Sequence, residues 1–322
     1  MGASAAPGAP VVTVAVATHD RPARLAGLLE ALRAQTLGPG AFEVAVVDDG
    51  SGPQTAALLD AERARGELDL VVLRHDQPRG PAAARNAAWR AARAPLVAFT
   101  DDDCAPTPEW LATGLAAQAQ HPGAVVQGRI EPEPEGLGRE GILTRTLRVR
   151  RLGPWYETAN IFYPQELLVE LDGFNEAFGP KPGGEDTDLA WRALGAGREA
   201  VFAPDALVHH AVEDLGVRGL LREAWRWTEP MQVFAVHPEM RAELNRGVFW
   251  SGWHWMVLRS LFALAAPRWL RRFLLLRHAL QLHARARREG AGWWAVPVLL
   301  VRDVVETAAV IRGAVRYRTF VL

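Results

Sequence analysis

Four apolar runs of strand length, separated by helix-like sequence, constrain the fold of this chain more than any other feature. The runs are VVTVAVA (11–17), EVAVVDD (43–49), LDLVVLR (68–74) and PLVAFT (95–100). They are apolar throughout instead of alternating, which is typical of strands buried on both faces. Helix-like segments lie between them, at residues 22–35, 55–65 and 81–94. The sequence therefore predicts an α/β fold with a mostly parallel sheet flanked by helices.

Polar and acidic side chains follow three of these four runs. Thr18, His19 and Asp20 come after the first, Asp48 and Asp49 end the second, and the segment 101–103 follows the fourth. In a parallel sheet, ligands bind beyond the carboxyl ends of the strands. Polar loop composition could explain any one of these ends, but the three together predict a ligand site at one edge of the sheet.

The three consecutive aspartates, Asp101 to Asp103, need compensating positive charge because like charges so close together repel. The phosphate loops G-x-G-x-x-G after the first strand and G-x-x-x-x-G-K-[ST] are absent from the sequence. Mg²⁺ and Mn²⁺ are instead held by one or two carboxylates together with substrate phosphates. In an extended segment, Asp101 and Asp103 would point to the same side. The spacing therefore indicates a Mg²⁺ or Mn²⁺ site.

Five ordered segments resemble family 2 glycosyltransferases of the GT-A fold. They are VAVATHDRPARL, VVDDGSGPQTAALL, GPAAARNAAWRAARAPLVAFTDDDCAPTPEWL, NIFYPQELLVELDGFNEAFG and GGEDTDLAWRALGAG, within residues 11–210. The resemblance implies a Rossmann-like GT-A domain with an inverting, metal-dependent activity. Such an enzyme moves a sugar from a nucleotide-diphosphate sugar to a hydroxyl acceptor, which could be a glycan, a lipid-linked molecule or a small molecule. His19 and the pair Asp172-Gly173 depart from the family pattern.

The resemblance also implies which residues bind the donor and the metal. The nucleotide-sugar site is assigned to Thr18, Asp20, Asp48, Asp49, Arg85, Asp101 and Asp102. The metal is assigned to Asp101 and Asp103, and His209 or His210 is expected to supply a further contact.

The general base implied by the resemblance is Asp186, with Glu185 beside it. An inverting transfer needs a carboxylate that takes the proton of the attacking hydroxyl, and a metal stabilises the departing diphosphate. Asp186 precedes the helix-like DLAWRAL, and a helix N-terminus favours its ionised form. The structural alternative is that both acids only cap this helix.

Two other functions remain open from the residues alone. A sugar nucleotidyltransferase also joins a parallel sheet to metal-binding carboxylates, but it should carry a glycine-rich basic loop after its first strand, and residues 18–25 contain no glycine. A non-catalytic nucleotide- or sugar-binding scaffold is the third functional hypothesis. The intact Asp101, Asp103 and Asp186 argue against that scaffold.

Charge divides the chain near residue 215. Residues 216–322 hold 17 arginines and 7 acidic residues, whereas the preceding 215 hold 19 basic and 30 acidic residues. We therefore predict a flexible N-terminal tail (1–10), a GT-A domain (11–215) and a basic, Trp-rich helical region (216–322). Residues 131–154 show no clear family signal and are predicted to form a mobile acceptor-side flap.

The helical region determines the predicted partners and location. Its longest stretches without a charged residue are 247–258 and 290–301, which are shorter than the ~20 residues of a membrane span. Its basic, Trp-bearing surface favours peripheral contact with an anionic membrane. Packing on the catalytic domain or across a homodimer is the alternative. Nucleic-acid motifs are absent. The single Cys104 suits a cytoplasmic protein, here one on the inner face of the plasma membrane.

Overall fold

The computed structural model describes residues 9–38, 40–181 and 183–322. The predicted N-terminal tail, residues 1–10, lies outside the described residues except for its last two positions. The described chain forms two compact units.

The first unit comprises the chain up to Glu135 and the segment Leu147–Ala211. Its strands are β1 (Val12–Thr18), β2 (Phe42–Asp49), β3 (Leu70–His75), β4 (Leu96–Phe99), β5 (Cys104–Pro106), β6 (Val125–Pro132), β8 (Ile161–Pro164) and β9 (Ala200–His210). Its helices are α1 (Pro22–Arg33), α2 (Pro53–Arg65), α3 (Pro81–Arg90), α4 (Trp110–Gln120), α5 (Gln165–Glu170) and α6 (Glu185–Gly195).

These strands form one sheet in the order β3-β2-β1-β4-β8-β6-β9-β5 over the described residues. β1 to β4 run parallel to one another, and β6 is parallel to β9. The short strand β8 runs antiparallel to both of its neighbours, and β5 is antiparallel to β9 at the edge. The predicted α/β class with a mostly parallel sheet is confirmed.

Both faces of the sheet are covered, which explains the uninterrupted apolar character of its strands. Val14 and Val16 of β1 pack in one core cluster with the leucines of α1, whereas Ala15 packs in a second cluster with Ala84 and Trp89 of α3. Successive residues of a strand point to opposite faces, so a strand covered on both sides must be apolar at every position.

The parallel arrangement brings three strand ends to one edge. β1 pairs with β2 on one side and with β4 on the other. Thr18, Asp49 and the segment 101–103 therefore lie at the carboxyl edge of the sheet, as the sequence predicts.

The second unit comprises Gly136–Thr146 and Val212–Leu322. It contains the antiparallel strands β7 (Thr144–Arg145) and β10 (Glu213–Asp214) and the helices α7 (Gly216–Arg226), α8 (Val233–Val236), α9 (Gly252–Leu264), α10 (Arg268–Arg288) and α11 (Ala295–Arg316). The C-terminal helices predicted as part of the fold class are confirmed. Across the described ranges, no helix combines the length and the apolar character needed to span a bilayer. Part of the predicted flap, Gly136–Thr146, packs within this unit.

Candidate active site

The centre of the acidic edge is Asp102, which links the ends of β1 and β4. Thr18 Oγ1 donates a 2.7 Å hydrogen bond to Asp102 Oδ2, and Arg21 Nη1 lies 3.4 Å from Asp102 Oδ1. Burial raises the pKa of Asp102 to about 6, against the effects of the Thr18 hydrogen bond and the Arg21 charge. The two neighbouring aspartates raise the pKa further.

The three aspartates do not adopt the extended geometry expected from the D-x-D spacing. Residues 101–104 form a turn closed by Cys104 N, which donates to the carbonyl of Asp101 at 3.1 Å. In this turn each carboxylate has a different nearest partner, and Arg21 also approaches Asp102. Asp101 accepts from Arg85, Asp102 from Thr18, and Asp103 Oδ2 from Arg21 Nη1 at 2.8 Å. Charge repulsion between these adjacent carboxylates is relieved by Arg85, by the Thr18 hydroxyl and by Arg21, which lies between Asp102 and Asp103.

Arg85 connects the aspartate turn to the N-terminus of α6. Its guanidinium donates to Asp101 Oδ1 and to Glu185 Oε1, both at 3.0 Å. The second Glu185 oxygen accepts from Gly183 N at 2.8 Å. Burial acts to lower the pKa of Arg85, but the charges of Asp101 and Glu185 outweigh it and raise that pKa. Arg85 is therefore a fixed positive charge between Asp101, which follows β4, and Glu185, which begins α6.

Asp186 lies beside this ion-pair network. Its Oδ1 accepts from Thr187 N at 2.8 Å, in the first turn of α6. The protein packed round the carboxyl and the neighbouring Glu185 raise the pKa of Asp186 to about 8, although Arg85 acts to lower it. The expectation that the helix N-terminus favours the ionised form of Asp186 is wrong, because burial and the charge of Glu185 outweigh that effect. A carboxyl that titrates near neutrality is suited to accept a proton from a hydroxyl group.

Asp49 holds the turn before α3. Its carboxylate accepts from Gly80 N at 2.8 Å, from Arg79 N at 2.9 Å and from His75 Nδ1 at 2.6 Å. Gly80 has a φ of +94°, and a Cβ added there would lie 2.4 Å from the Cα of Pro180. Asp49 thus fixes the tight turn that precedes α3, the helix that carries Arg85.

Asp48 and Asp20 fix the second strand end. Asp48 is buried, and it accepts from Ser51 N at 2.8 Å and forms an ion pair with Arg74. Asp20 is exposed, with its backbone N donating to Ser51 Oγ at 3.0 Å and its Oδ1 accepting from Gly52 N at 2.8 Å. The exposed Asp20 carboxylate is accessible to a ligand, whereas the buried Asp48 stabilises the loop after β2 through Ser51 N and Arg74.

The two adjacent histidines of β9 point in different directions, as successive strand residues do. His210 is buried, with Nε2 3.6 Å from Asp103 Oδ1, and its Nδ1 donates to the carbonyl of Ala211 at 2.9 Å. His209 Nδ1 instead donates to the carbonyl of Pro132 at 3.1 Å. His210 is therefore the histidine brought to the aspartates.

Asp103 and His210 fit a divalent cation by the chemistry of their donor atoms. The Nδ1–H of His210 is fixed by a backbone carbonyl, which leaves the lone pair on the Nε2 that faces Asp103. Within the described ranges, no three His, Cys, Asp or Glu side chains converge as a complete cation cage. Mg²⁺ and Mn²⁺ commonly take only one or two protein ligands and complete their shell with phosphate and water oxygens.

Two residues of this edge were not identified from the sequence. Arg21 contacts Asp103, and its position directly before the proline that opens α1 was the available signal. Glu157 precedes a short helical turn at Thr158–Asn160, and burial raises the pKa of its carboxyl. Its negative charge in turn raises the pKa of Asp186. No local sequence pattern marks Glu157, because only the tertiary packing brings it near α6.

The sequence profile of the family described as "Glycosyl transferase family 2" matches residues 13–175. Among curated proteins, the chain is 30% identical over 246 residues to a pre-mycofactocin glycosyltransferase from Mycobacterium tuberculosis, covering 72% of this chain and 49% of the relative. It is 28% identical over 285 residues to a validoxylamine A glucosyltransferase from Streptomyces hygroscopicus subsp. limoneus, covering 75% and 61% respectively. The chain thus spans about half to three fifths of these relatives' length.

Two solved structures are similar in fold. A mannosyltransferase from Pyrobaculum calidifontis, solved with GDP-Man and Mn²⁺, superposes with a TM-score of 0.67 at 21% identity, covering 96% of this chain and 87% of that one. TarS 1–349 from S. aureus, solved with UDP, gives a TM-score of 0.53 at 19% identity, with coverage of 96% and 92%. At these identities the likeness concerns the fold alone, and it confirms the GT-A prediction. With the family profile matched across half its length, the chain belongs to glycosyl transferase family 2.

Proposed function

We propose that this chain is an inverting, metal-dependent glycosyltransferase that moves a sugar from a nucleotide-diphosphate sugar to an acceptor hydroxyl. The observation that carries the proposal is Asp186, whose pKa is raised to about 8 beside the Arg85–Glu185 pair. A carboxyl of this kind in a family 2 glycosyltransferase supports the role of general base.

In the proposed reaction, Asp186 takes the proton of the acceptor hydroxyl as its oxygen attacks the anomeric carbon. The bond from that carbon to the nucleoside diphosphate breaks on the opposite face, so one displacement inverts the configuration. Glu185 is held by Arg85 and Gly183 and orients the N-terminus of α6. Arg85 and Arg21 supply fixed positive charge close to the departing diphosphate.

Asp103 and His210 would hold Mg²⁺ or Mn²⁺, with Asp101 close by in the same turn. When bound, the cation would neutralise charge on the diphosphate. We assign Thr18, Asp20, Asp48, Asp49 and Asp102 to the nucleotide-sugar side, where they shape the carboxyl edge of the sheet. Mn²⁺ in the structure of the P. calidifontis mannosyltransferase supports metal use by this fold.

The proposed organisation is a GT-A domain over residues 11–215 and a helical region over 216–322. The donor would be a nucleotide-diphosphate sugar, in keeping with GDP-Man and UDP-GlcNAc in similar folds. The acceptor is proposed only as a hydroxyl compound. The proposed location is the cytoplasm, at the inner face of the plasma membrane.

Donor hydrolysis by the wild type and by Asp186→Asn tests this function without knowledge of the acceptor. We expect nucleotide-diphosphate release to fall by roughly 10²- to 10⁴-fold in the variant, because the base is lost. Asp205→Asn, at an exposed position of β9, is the matched control and should retain wild-type turnover.

Thermal stability separates lost chemistry from lost folding. The unfolded Asp186 carboxyl releases its proton near its ordinary pKa, whereas the folded one keeps it to about pH 8. Ionising this group therefore lowers stability as the pH rises through that window, and Asp186→Asn should raise the Tm at neutral pH. Release of pyrophosphate from a nucleoside triphosphate and a sugar phosphate would instead indicate a nucleotidyltransferase, and absence of turnover in both proteins would indicate a scaffold.

A further inference from the structure

The outward side of α10 is apolar, which is unusual for an exposed helix. Trp269, Phe273, Leu276 and Leu280 recur four, three and four residues apart, so they form one stripe along the helix. All four are exposed, and Trp269 retains 72% of its accessible surface. Singly exposed apolar side chains are ordinary, but a continuous stripe of this size marks an interaction surface.

The same helix buries a different side within the second unit. His278, Leu282 and Ala286 are buried, and the last two pack in a cluster with Leu299 of α11. The exposed stripe is therefore additional to the side that stabilises the fold. Packing of the second unit accounts for the buried side and leaves the stripe unexplained.

The last turn of α9, which precedes α10 in sequence, carries further exposed apolar side chains. Leu261, Phe262 and Leu264 are exposed, with Phe262 retaining 74% of its surface, and the turn of residues 265–267 joins them to Trp269. We call the α9–α10 apolar face the set Leu261, Phe262, Leu264, Trp269, Phe273, Leu276 and Leu280.

Arginines border this face. Arg272 and Arg277 are exposed, and each is next in sequence to a member of the stripe, so they project on either side of it. Residues 252–288 contain eight arginines and no acidic residue. A tryptophan-bearing apolar strip between arginines matches the layers of a bilayer surface, where the rings reach the acyl boundary and the guanidinium groups meet lipid phosphates.

We propose that the α9–α10 apolar face binds the surface of an anionic lipid bilayer. Charge complementarity selects this occupant over a second copy of the chain, because two such faces would bring arginine-rich borders together without an acidic partner. A bilayer rich in anionic headgroups supplies both the apolar layer and the compensating charge. The binding face does not depend on the proposed transfer reaction.

Co-sedimentation of the full chain with lipid vesicles tests this proposal. Vesicles of phosphatidylcholine with phosphatidylglycerol should pellet the wild type, whereas pure phosphatidylcholine vesicles should do so much less, and added salt should release the protein. Trp269→Ser/Phe273→Ser should lower the lipid partition coefficient by at least roughly tenfold through lost apolar burial. Arg272→Glu/Arg277→Glu should lower it by a similar or larger factor.

Matched substitutions elsewhere are the controls. Val169→Ser removes an exposed apolar side chain of α5, and Arg218→Glu/Arg222→Glu makes the same charge change on α7. Both should keep wild-type lipid binding, and all variants should keep the wild-type Tm without vesicles. Equal losses in the controls would overturn the proposal. Failure of the wild type to bind anionic vesicles would also overturn the proposal. If that failure came with a wild-type dimer in sedimentation velocity that Trp269→Ser/Phe273→Ser dissociates, the face would instead be a dimer interface.

Discussion

Each unit of this molecule buries a cluster of acidic and basic side chains, but the two clusters balance their charges differently. In the second unit, Arg285 donates to Asp303 at 3.1 Å, and Glu306 lies 3.2 Å from both His254 and Arg302. Burial acts to raise the pKa of Glu306, yet the hydrogen bond from His254 and the charge of Arg302 lower it. Each acid of this cluster has a basic partner on a neighbouring turn or helix.

In the first unit, Arg85 serves Asp101 and Glu185 together, and Asp186 lies beside them. Three carboxyls thus share one guanidinium. Burial is the main cause of the raised pKa of Asp186 and the unbalanced charge of Glu185 raises it further, whereas the pKa of Asp303 is raised by burial against the charges of Arg285 and Arg302. This contrast indicates that a buried ion pair has a structural role when its charges balance. A surplus of one sign marks a place where a proton, a cation or a substrate completes the balance.

The largest expected effect comes from unbalancing the cluster of the second unit. Arg285→Met leaves Asp303 buried without its guanidinium partner and should lower the free energy of unfolding by about 3–5 kcal/mol. Urea unfolding measures this loss, and Arg288→Met at an exposed position of α10 is the control. The double variant Arg285→Met/Asp303→Asn should recover much of the loss. Donor turnover of the folded Arg285→Met protein should remain at the wild-type level. A large fall in turnover would contradict a purely structural role for the cluster of the second unit.

A smaller effect should separate the two histidines of β9. His210→Ala should weaken Mn²⁺-dependent nucleotide binding by roughly 10- to 100-fold, because His210 faces Asp103. His209→Ala should change this binding little, because its ring contacts the carbonyl of Pro132. Isothermal titration calorimetry with and without Mn²⁺ measures both. Equal losses for the two variants would show that position along β9, and not the direction of the ring, determines the effect.

The smallest effect concerns the charge surplus itself. Turnover should fall as the pH falls through the raised pKa of Asp186, because only the ionised base accepts a proton. Glu185→Gln removes the neighbouring negative charge, so the pKa of Asp186 should fall and the acidic limb of the pH–rate profile should move to lower pH by on the order of one unit. Glu166→Gln, at an exposed position of α5, should leave the limb in place. If the acidic limb of Glu185→Gln stayed in place or moved to higher pH, Glu185 would not be raising the pKa of Asp186.

Much of the fold was predictable because it depends on local patterns. The apolar runs at the start of the chain become β1 to β4, and their parallel order brings Thr18 and Asp102 within 2.7 Å, as an edge site requires. Pro22 opens α1 as expected from its fixed φ. These features follow from hydrophobic periodicity and from the topology of parallel sheets.

The side-chain directions within the site were not predictable. The D-x-D spacing suggested an extended segment, but residues 101–104 form a turn in which Asp101 accepts from Arg85 and Asp103 from Arg21. The contact of Arg21 with Asp103 and the burial of Glu157 near Asp186 depend on packing between segments far apart in sequence. The antiparallel insertion of β8 between β4 and β6 has the same origin.

We propose above all that the acidic edge of the first unit binds a nucleotide diphosphate through a divalent cation. The most direct test is the thermal stability of the wild type with UDP, GDP, dTDP or CDP, each with and without Mn²⁺, beside Asp103→Ala. We expect one nucleotide to raise the Tm only when Mn²⁺ is present, and we expect Asp103→Ala to remove this rise. A rise that is equal without metal, a rise that persists in Asp103→Ala, or no rise with any nucleotide would contradict this proposal.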